Sequence, residues 1–301
     1  MRPTGGWRAT IGALITFSAA IGLCALVVAM APGLADIVRG LLGEPGRTHY
    51  PTMETVGILV LFGSLLLCAL AGAALSKVNP LRLGRDFGRR GSIGAFAGLI
   101  GLSAAAAYAW LAGALEPGSG PPVGAGLLLL GTLLILFATT TEEIYFRGWI
   151  QPVLARSFGP AAAVLLSALA FAALHLIAGA RTPVSLANLF LGGLLFGLLA
   201  ARGGGIGGAA AAHFSWNWGE QILLGLDPNP GVGSFGAILD YDLVGSPLWG
   251  GSDEGLNASL TMSMALIALV LPLVVLLRFE RSGKGGDIPP SAAAARQGNH
   301  A

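Results

Sequence analysis

The chain has 301 residues, of which 54% are apolar and only 11% charged, with 47 glycines and a formal net charge of +2. That balance excludes an ordinary soluble domain, and the lack of any basic tract interleaved with aromatics excludes a nucleic-acid partner. The length is better counted in membrane spans of about 20 apolar residues each.

At the N-terminus, Arg2 and Arg8 precede an apolar run, and Ala29 and Ala31 imitate a signal-peptide cleavage site. The run 9–30 is longer than a signal core, and Pro32 stands where cleavage is disfavoured, so a first span is expected there. Further spans are expected near 56–75, 92–115, 124–141 and beyond, 161–178, 184–201, 206–226 and 260–277. The fold class is thus all-α: a polytopic membrane bundle of about eight transmembrane helices over 1–281, with a motif core at about 124–226. Residues 282–301, rich in Gly, Pro and Ala, read as a disordered cytoplasmic tail. Cys24 and Cys68 fall in apolar runs, which suggests packing and neither a disulfide nor a thiolate metal site. Gly193 with Gly197, and Gly203 with Gly207, have the small-xxx-small spacing of close helix packing.

An even number of spans puts both termini on one side, and the positive-inside rule tests the count. Lys77, Arg82, Arg85, Arg89 and Arg90 crowd the second loop, and Arg278, Arg281, Lys284 and Arg296 follow the last span, so both segments read as cytoplasmic. Segment 227–257 carries Asp227, Asp240, Asp242, Asp253 and Glu254 without Lys or Arg, and reads as external. The Gly- and Ala-rich composition points to a bacterial inner membrane, with both termini cytoplasmic.

Ionisable residues within spans are costly and are functional candidates by default. They fall in three clusters: TTEEIYFRGW with Glu142, Glu143 and Arg147, FAALH ending at His175, and HFSWN with His213 and Asn217. Consecutive helical residues point ~100° apart and residues four apart share a face. Glu143 can therefore pair with Arg147, while Glu142 is directed elsewhere and is the better candidate to meet water and substrate. His213 and Asn217 stack on one face, and Glu220 continues it. If Gly159 and Pro160 form a turn, Glu142 and His175 both lie ~24 Å from it and are level, while His213 lies ~14 Å along its own helix from the turn near Gly204. The three clusters are then expected to meet in the inner half of the membrane. Such side chains suit water activation and amide hydrolysis: imidazoles bind zinc or a similar ion, a carboxylate deprotonates water, and further donors stabilise an oxyanion. Two histidines fall short of three protein ligands, so either Glu142 or Asn217 joins them or the ion is weakly held.

Together, EExxxR at 142–147, FxxxH at 171–175 and HxxxN at 213–217 resemble the CPBP intramembrane metalloprotease family, also called the CAAX protease and bacteriocin-processing or Abi family. The resemblance covers roughly 127–226, and the motifs stand in the family's order on the fourth, fifth and seventh spans. It implies an intramembrane endopeptidase acting on membrane-associated peptides or proteins within the lipid bilayer. It also implies Glu142 as the water-activating carboxylate, Glu143 and Arg147 as its support, and His175, His213 and Asn217 as the rest of the centre. The family is called metal-dependent, which assigns a divalent metal, by type zinc, to Glu142, His175, His213 and Asn217. The same site also reads as a Glu and His water-activating pair beside a His and Asn oxyanion hole. The alternatives are a catalytically silent membrane scaffold or immunity protein of the same fold, and a transporter using these residues as a relay.

Overall fold

The computed structural model describes residues 50–120, 123–229 and 235–283, with scattered positions between 8 and 37. Apart from those positions, the expected first span at 9–30 and the expected tail beyond Gly283 lie outside the described residues. In chain order the helices are α1 (Tyr50–Ser76), α2 (Phe87–Leu111), α3 (Ala125–Glu143), α4 (Gln151–Phe158), α5 (Pro160–Ala178), α6 (Pro183–Gly203), α7 (Gly207–Trp218) and α8 (Leu260–Gly283). A π-helical segment, Ile144–Ile150, joins α3 to α4 without a break, and a second, Gly219–Leu223, continues α7. Three strands, β1 (Leu115–Pro117), β2 (Leu226–Asp227) and β3 (Tyr241–Leu243), form one small sheet in the order β1, β3, β2. The architecture is an all-α membrane bundle with a short sheet at one end.

Among the described residues, five continuous helices are long and apolar enough to cross a bilayer: Pro51–Ser76, Phe87–Leu111, Ala125–Phe158, Pro160–Ile177 and Pro183–Gly203. α7 has 12 residues before its π turn, and the apolar part of α8, Leu260–Leu276, is also shorter than those five. Exposed apolar side chains stud the outer faces, among them Leu67 and Leu75 on α1, Phe96 and Trp110 on α2, and Leu129 on α3. In lipid that outward face costs nothing, and the interior is filled by packing rather than by separating polar from apolar residues. One interior cluster gathers Leu102 of α2, Leu195 of α6, Trp216 of α7 and Leu266 of α8, and another packs Leu65 and Ala69 of α1 against Tyr145, Trp149 and Phe171.

Small residues bring α2 and α7 into contact. A Cβ at Gly94 would land on the Gly208 carbonyl, and one at Gly98 on the Ala212 carbonyl and Ser215 hydroxyl. Ser215 Oγ also donates to the Ala95 carbonyl at 3.0 Å. Because the obstacle at Gly94 is backbone, Gly94→Ala must push the helices apart, and it is expected to destabilise the protein by about 1–3 kcal/mol. Thermal unfolding in detergent checks this, and an unchanged midpoint contradicts the packing.

The two ends differ in charge. The Arg85 and Ile206 backbone N–H groups donate to the Gly203 and Arg82 carbonyls, and Arg156 donates to the Ser76 and Lys77 carbonyls, which gathers Lys77, Arg82, Arg85, Arg156 and Arg202 at one end. The sheet and segment 235–258 occupy the other end with Glu116, Asp227, Asp240, Asp242, Asp253 and Glu254. There Glu254 Oε1 and Oε2 accept the Thr182 and Arg181 backbone N–H groups, at 2.9 and 3.1 Å, at the head of α6. Burial pushes the Glu254 carboxyl up, but these hydrogen bonds and those of the Thr182 and Ser185 side chains outweigh it and hold the group below its ordinary value. A depressed carboxylate contributes stability that is present above its unfolded value and is lost as pH falls through the folded one. The unfolding midpoint of Glu254→Gln is therefore expected below wild type at neutral pH, with the gap closing in acid. A gap that persists in acid would show that the ionised carboxylate is not the fastening group.

Candidate functional site

The π segment carries Arg147, the last residue of the EExxxR motif. All seven of its residues are buried, with Tyr145, Phe146 and Trp149 fully so. A π turn inserts residues into the helical ladder and is found most often at functional positions. Here it follows directly on Glu142 and Glu143. The i,i+4 pair expected from the sequence forms: Arg147 Nη1 donates to Glu143 Oε1 at 2.9 Å, and both side chains are fully buried. The second arm of the guanidinium, Nη2, donates to the Gly193 carbonyl at 3.0 Å, and the group lies 4.7 Å from the Phe171 ring centre and 5.4 Å from that of Phe196. One turn on, Gln151 Nε2 donates to the Gly197 carbonyl at 3.0 Å. Gly193 and Gly197 thus do more than allow helices to approach, because their carbonyls hold the π segment and α4 against α6.

His213 joins the two glutamates. Its Nδ1 lies 2.9 Å from Glu143 Oε1, and its Nε2 lies 3.4 Å from Glu142 Oε2. Since Glu143 already accepts from Arg147, Nδ1–H donates to it, which fixes the ring and turns Nε2 toward Glu142. Phe196 stacks on the imidazole, with centroids 4.5 Å apart and planes inclined by 16°, and Phe171 meets it edge-on at 5.9 Å. The adjacent glutamates do point apart, as the helical angle requires: Glu143 is sealed inside, while the Glu142 side chain keeps 13% of its surface exposed. Both nevertheless touch the same imidazole from opposite edges.

His175 sits within one turn of the end of α5, where Gly159 with φ 81° provides the turn before the helix begins at Pro160. Its Nδ1–H donates to the Phe171 carbonyl at 2.8 Å, which leaves Nε2 as an acceptor. Glu142, His175, His213 and Asn217 all line one cavity of about 520 Å³. The structure therefore brings the four together around one space, with Glu143 and Arg147 behind the wall. The cavity runs to the acidic end, where Gly179, Asn229, Glu254 and Asn257 also line it. Asn188, another wall residue, fastens that end by donating from Nδ2 to the Asn257 and Ser259 carbonyls, both at 2.8 Å. Glu220, buried in the second π turn, completes the polar lining on the α7 side.

As a metal centre the donors fit in part. Two ligands each ~2.1 Å from one tetrahedral ion stand ~3.4 Å apart, and His213 Nε2 and Glu142 Oε2 have that separation. Among the described residues, however, no three His, Cys, Asp or Glu side chains are grouped to hold an ion.

Sequence reasoning did not find the Glu143 to His213 contact, the aromatic clamp of Phe171 and Phe196, or Asn188 and Glu254. The first two join segments far apart in the chain, Asn188 is a lone amide inside the apolar helix α6, and Glu254 lies in a polar segment that resembles an ordinary loop. No curated protein matches the chain. Residues 124–219 match the family model described as type II CAAX prenyl endopeptidase Rce1-like, and that segment holds all six of the expected site residues. Over that segment the chain is similar to the CPBP, or CAAX protease, family, to which the matched model belongs.

Proposed function

We propose that this multi-pass membrane protein is an intramembrane endopeptidase that hydrolyses peptide bonds of membrane-associated peptides or proteins with a water activated by Glu142. The observation that carries the reading is the facing pair of Glu142 and His213 on a cavity that His175 and Asn217 share. Glu142 takes a proton from water held between its carboxylate and the acceptor Nε2 of His175. The water oxygen bonds to the scissile carbonyl carbon, and Asn217 Nδ2 donates to the developing oxyanion. As the C–N bond breaks, Glu142 returns the proton to the leaving amine. Glu143, held by Arg147, keeps the His213 ring oriented throughout. Cleavage of a peptide library by the purified protein but not by Glu142→Gln supports the reading, and cleavage retained by the variant overturns it. If Glu142→Ala and His213→Ala fold normally and preserve the cellular phenotype, the silent scaffold or immunity protein is the correct reading instead.

A second reading of the same pair is favoured by the 3.4 Å separation of two acceptors, which needs a proton or a cation between them. A divalent ion, zinc by its nitrogen and oxygen donors, would be held by Glu142 and His213, with His175 and Asn217 as the remaining donors of the cavity. When bound it would polarise the attacking water and the scissile carbonyl. Treatment with a chelator separates the two readings: loss of cleavage that added zinc restores assigns the ion, and unchanged cleavage assigns the metal-free activation of water by Glu142.

The topology proposed with this function has eight spans, with 9–30, α7 with its π turn, and α8 added to the five long helices. The basic end and both termini face the cytoplasm of a bacterial cell, and the acidic end faces outward.

A further inference from the structure

The cavity is lined by Glu54, Glu142, Glu220 and Glu254, and among the described residues that line it there is no lysine or arginine. Two of these carboxylates have work already: Glu142 faces His213, and Glu254 caps α6. Glu54 stands at the outer start of α1. Glu220 is different. It is 5% exposed, and its hydrogen-bonding neighbour is the neutral indole of Trp216. An ionised carboxylate in such a place is expensive unless an opposite charge meets it. Around the same cavity end, Asp227, Asp240, Asp242 and Asp253 of the acidic segments add a negative field that draws cations toward the opening and repels anions.

We propose that Glu220 is a specificity-determining residue that receives a basic side chain, lysine or arginine, of the peptide being cleaved. This rests on the peptidase reading of the same cavity. Glu220 lies seven positions beyond His213, about 10 Å further along α7 and its π turn. An extended peptide advances about 3.3–3.4 Å per residue, so the basic residue falls roughly three positions from the scissile bond.

The test uses the full chain, purified in detergent, and peptides that differ at one position three residues from the cleaved bond: lysine, arginine, glutamine or norleucine. Wild type is expected to cleave the lysine and arginine peptides with kcat/KM at least tenfold above the neutral pair. Glu220→Gln is expected to lose that preference through KM, with kcat changed less than about threefold and the neutral peptides unaffected. Glu220→Asp, which keeps the charge, should retain part of the preference, and thermal unfolding of both variants checks that they fold. A parallel measurement of peptide binding to Glu142→Gln, by fluorescence anisotropy, reads the same preference without turnover. Cleavage without basic preference, or a preference that Glu220→Gln keeps, overturns the assignment and leaves the peptidase reading standing. No cleavage of any peptide, with basic-selective binding still present and lost on adding Glu220→Gln, overturns the peptidase reading and supports a cation-binding role for Glu220. Absence of both refutes the two together.

Discussion

Glu142→Gln is expected to lower kcat by ~10²–10⁴, the range that removal of a positioned general base produces, while leaving the protein folded. The substitution keeps the shape and removes only the proton-accepting oxygen. Glu142 is the wall carboxylate with part of its surface open to the cavity, whereas Glu143 is sealed behind it. The loss should therefore appear in kcat rather than in the unfolding midpoint. The opposite pattern, a normal rate with a lowered midpoint, would make Glu142 a structural partner of His213 and nothing more.

Arg147→Ala is expected to act on both stability and rate. It leaves the Glu143 carboxylate buried without its partner, which costs roughly 3–5 kcal/mol, and it frees the Gly193 carbonyl as well. Glu143 would then no longer be held at Nδ1 of His213, so the ring loses its orientation toward Glu142. Arg147→Lys should fare little better, because an ammonium cannot reproduce the two-armed fork that reaches Glu143 and Gly193 together. Replacing both partners, Glu143→Gln with Arg147→Met, should recover much of the stability but little of the activity, since His213 is still not held by a carboxylate. Unfolding midpoints in detergent and cleavage rates, measured on the same preparations, check both halves. A double variant that regains full activity would contradict the orienting role of Glu143.

Much of this arrangement is readable from the residue order, and the rest depends on features that periodicity does not report. The Glu143 to Arg147 pair follows from a four-residue spacing and is present despite the change of helical geometry at Ile144. The hairpin at Gly159 and Pro160 follows from a residue tolerant of positive φ beside one that suits a helix start. The π segments were not readable, because nothing in a 3.6-residue pattern marks one extra residue per turn. Nor was the double engagement of His213, which needs α3 and α7 to be packed together before both nitrogens find a glutamate. Gly193 illustrates the limit well. Its spacing from Gly197 announces close packing, but its carbonyl serves as a seat for Arg147 only because the π segment brings the guanidinium there. Asn188 and Glu254 likewise gain meaning only when segment 252–259 docks over the head of α6.

The most direct test of the central claim follows the oxygen atom. Purified protein incubated with a cleaved peptide in H₂¹⁸O should place one ¹⁸O atom in the new C-terminal carboxylate, detected by mass spectrometry, and Glu142→Gln should yield neither product nor label above background. Product formed equally by the variant, or no product from wild type on any membrane-associated peptide, would contradict a Glu142-activated water.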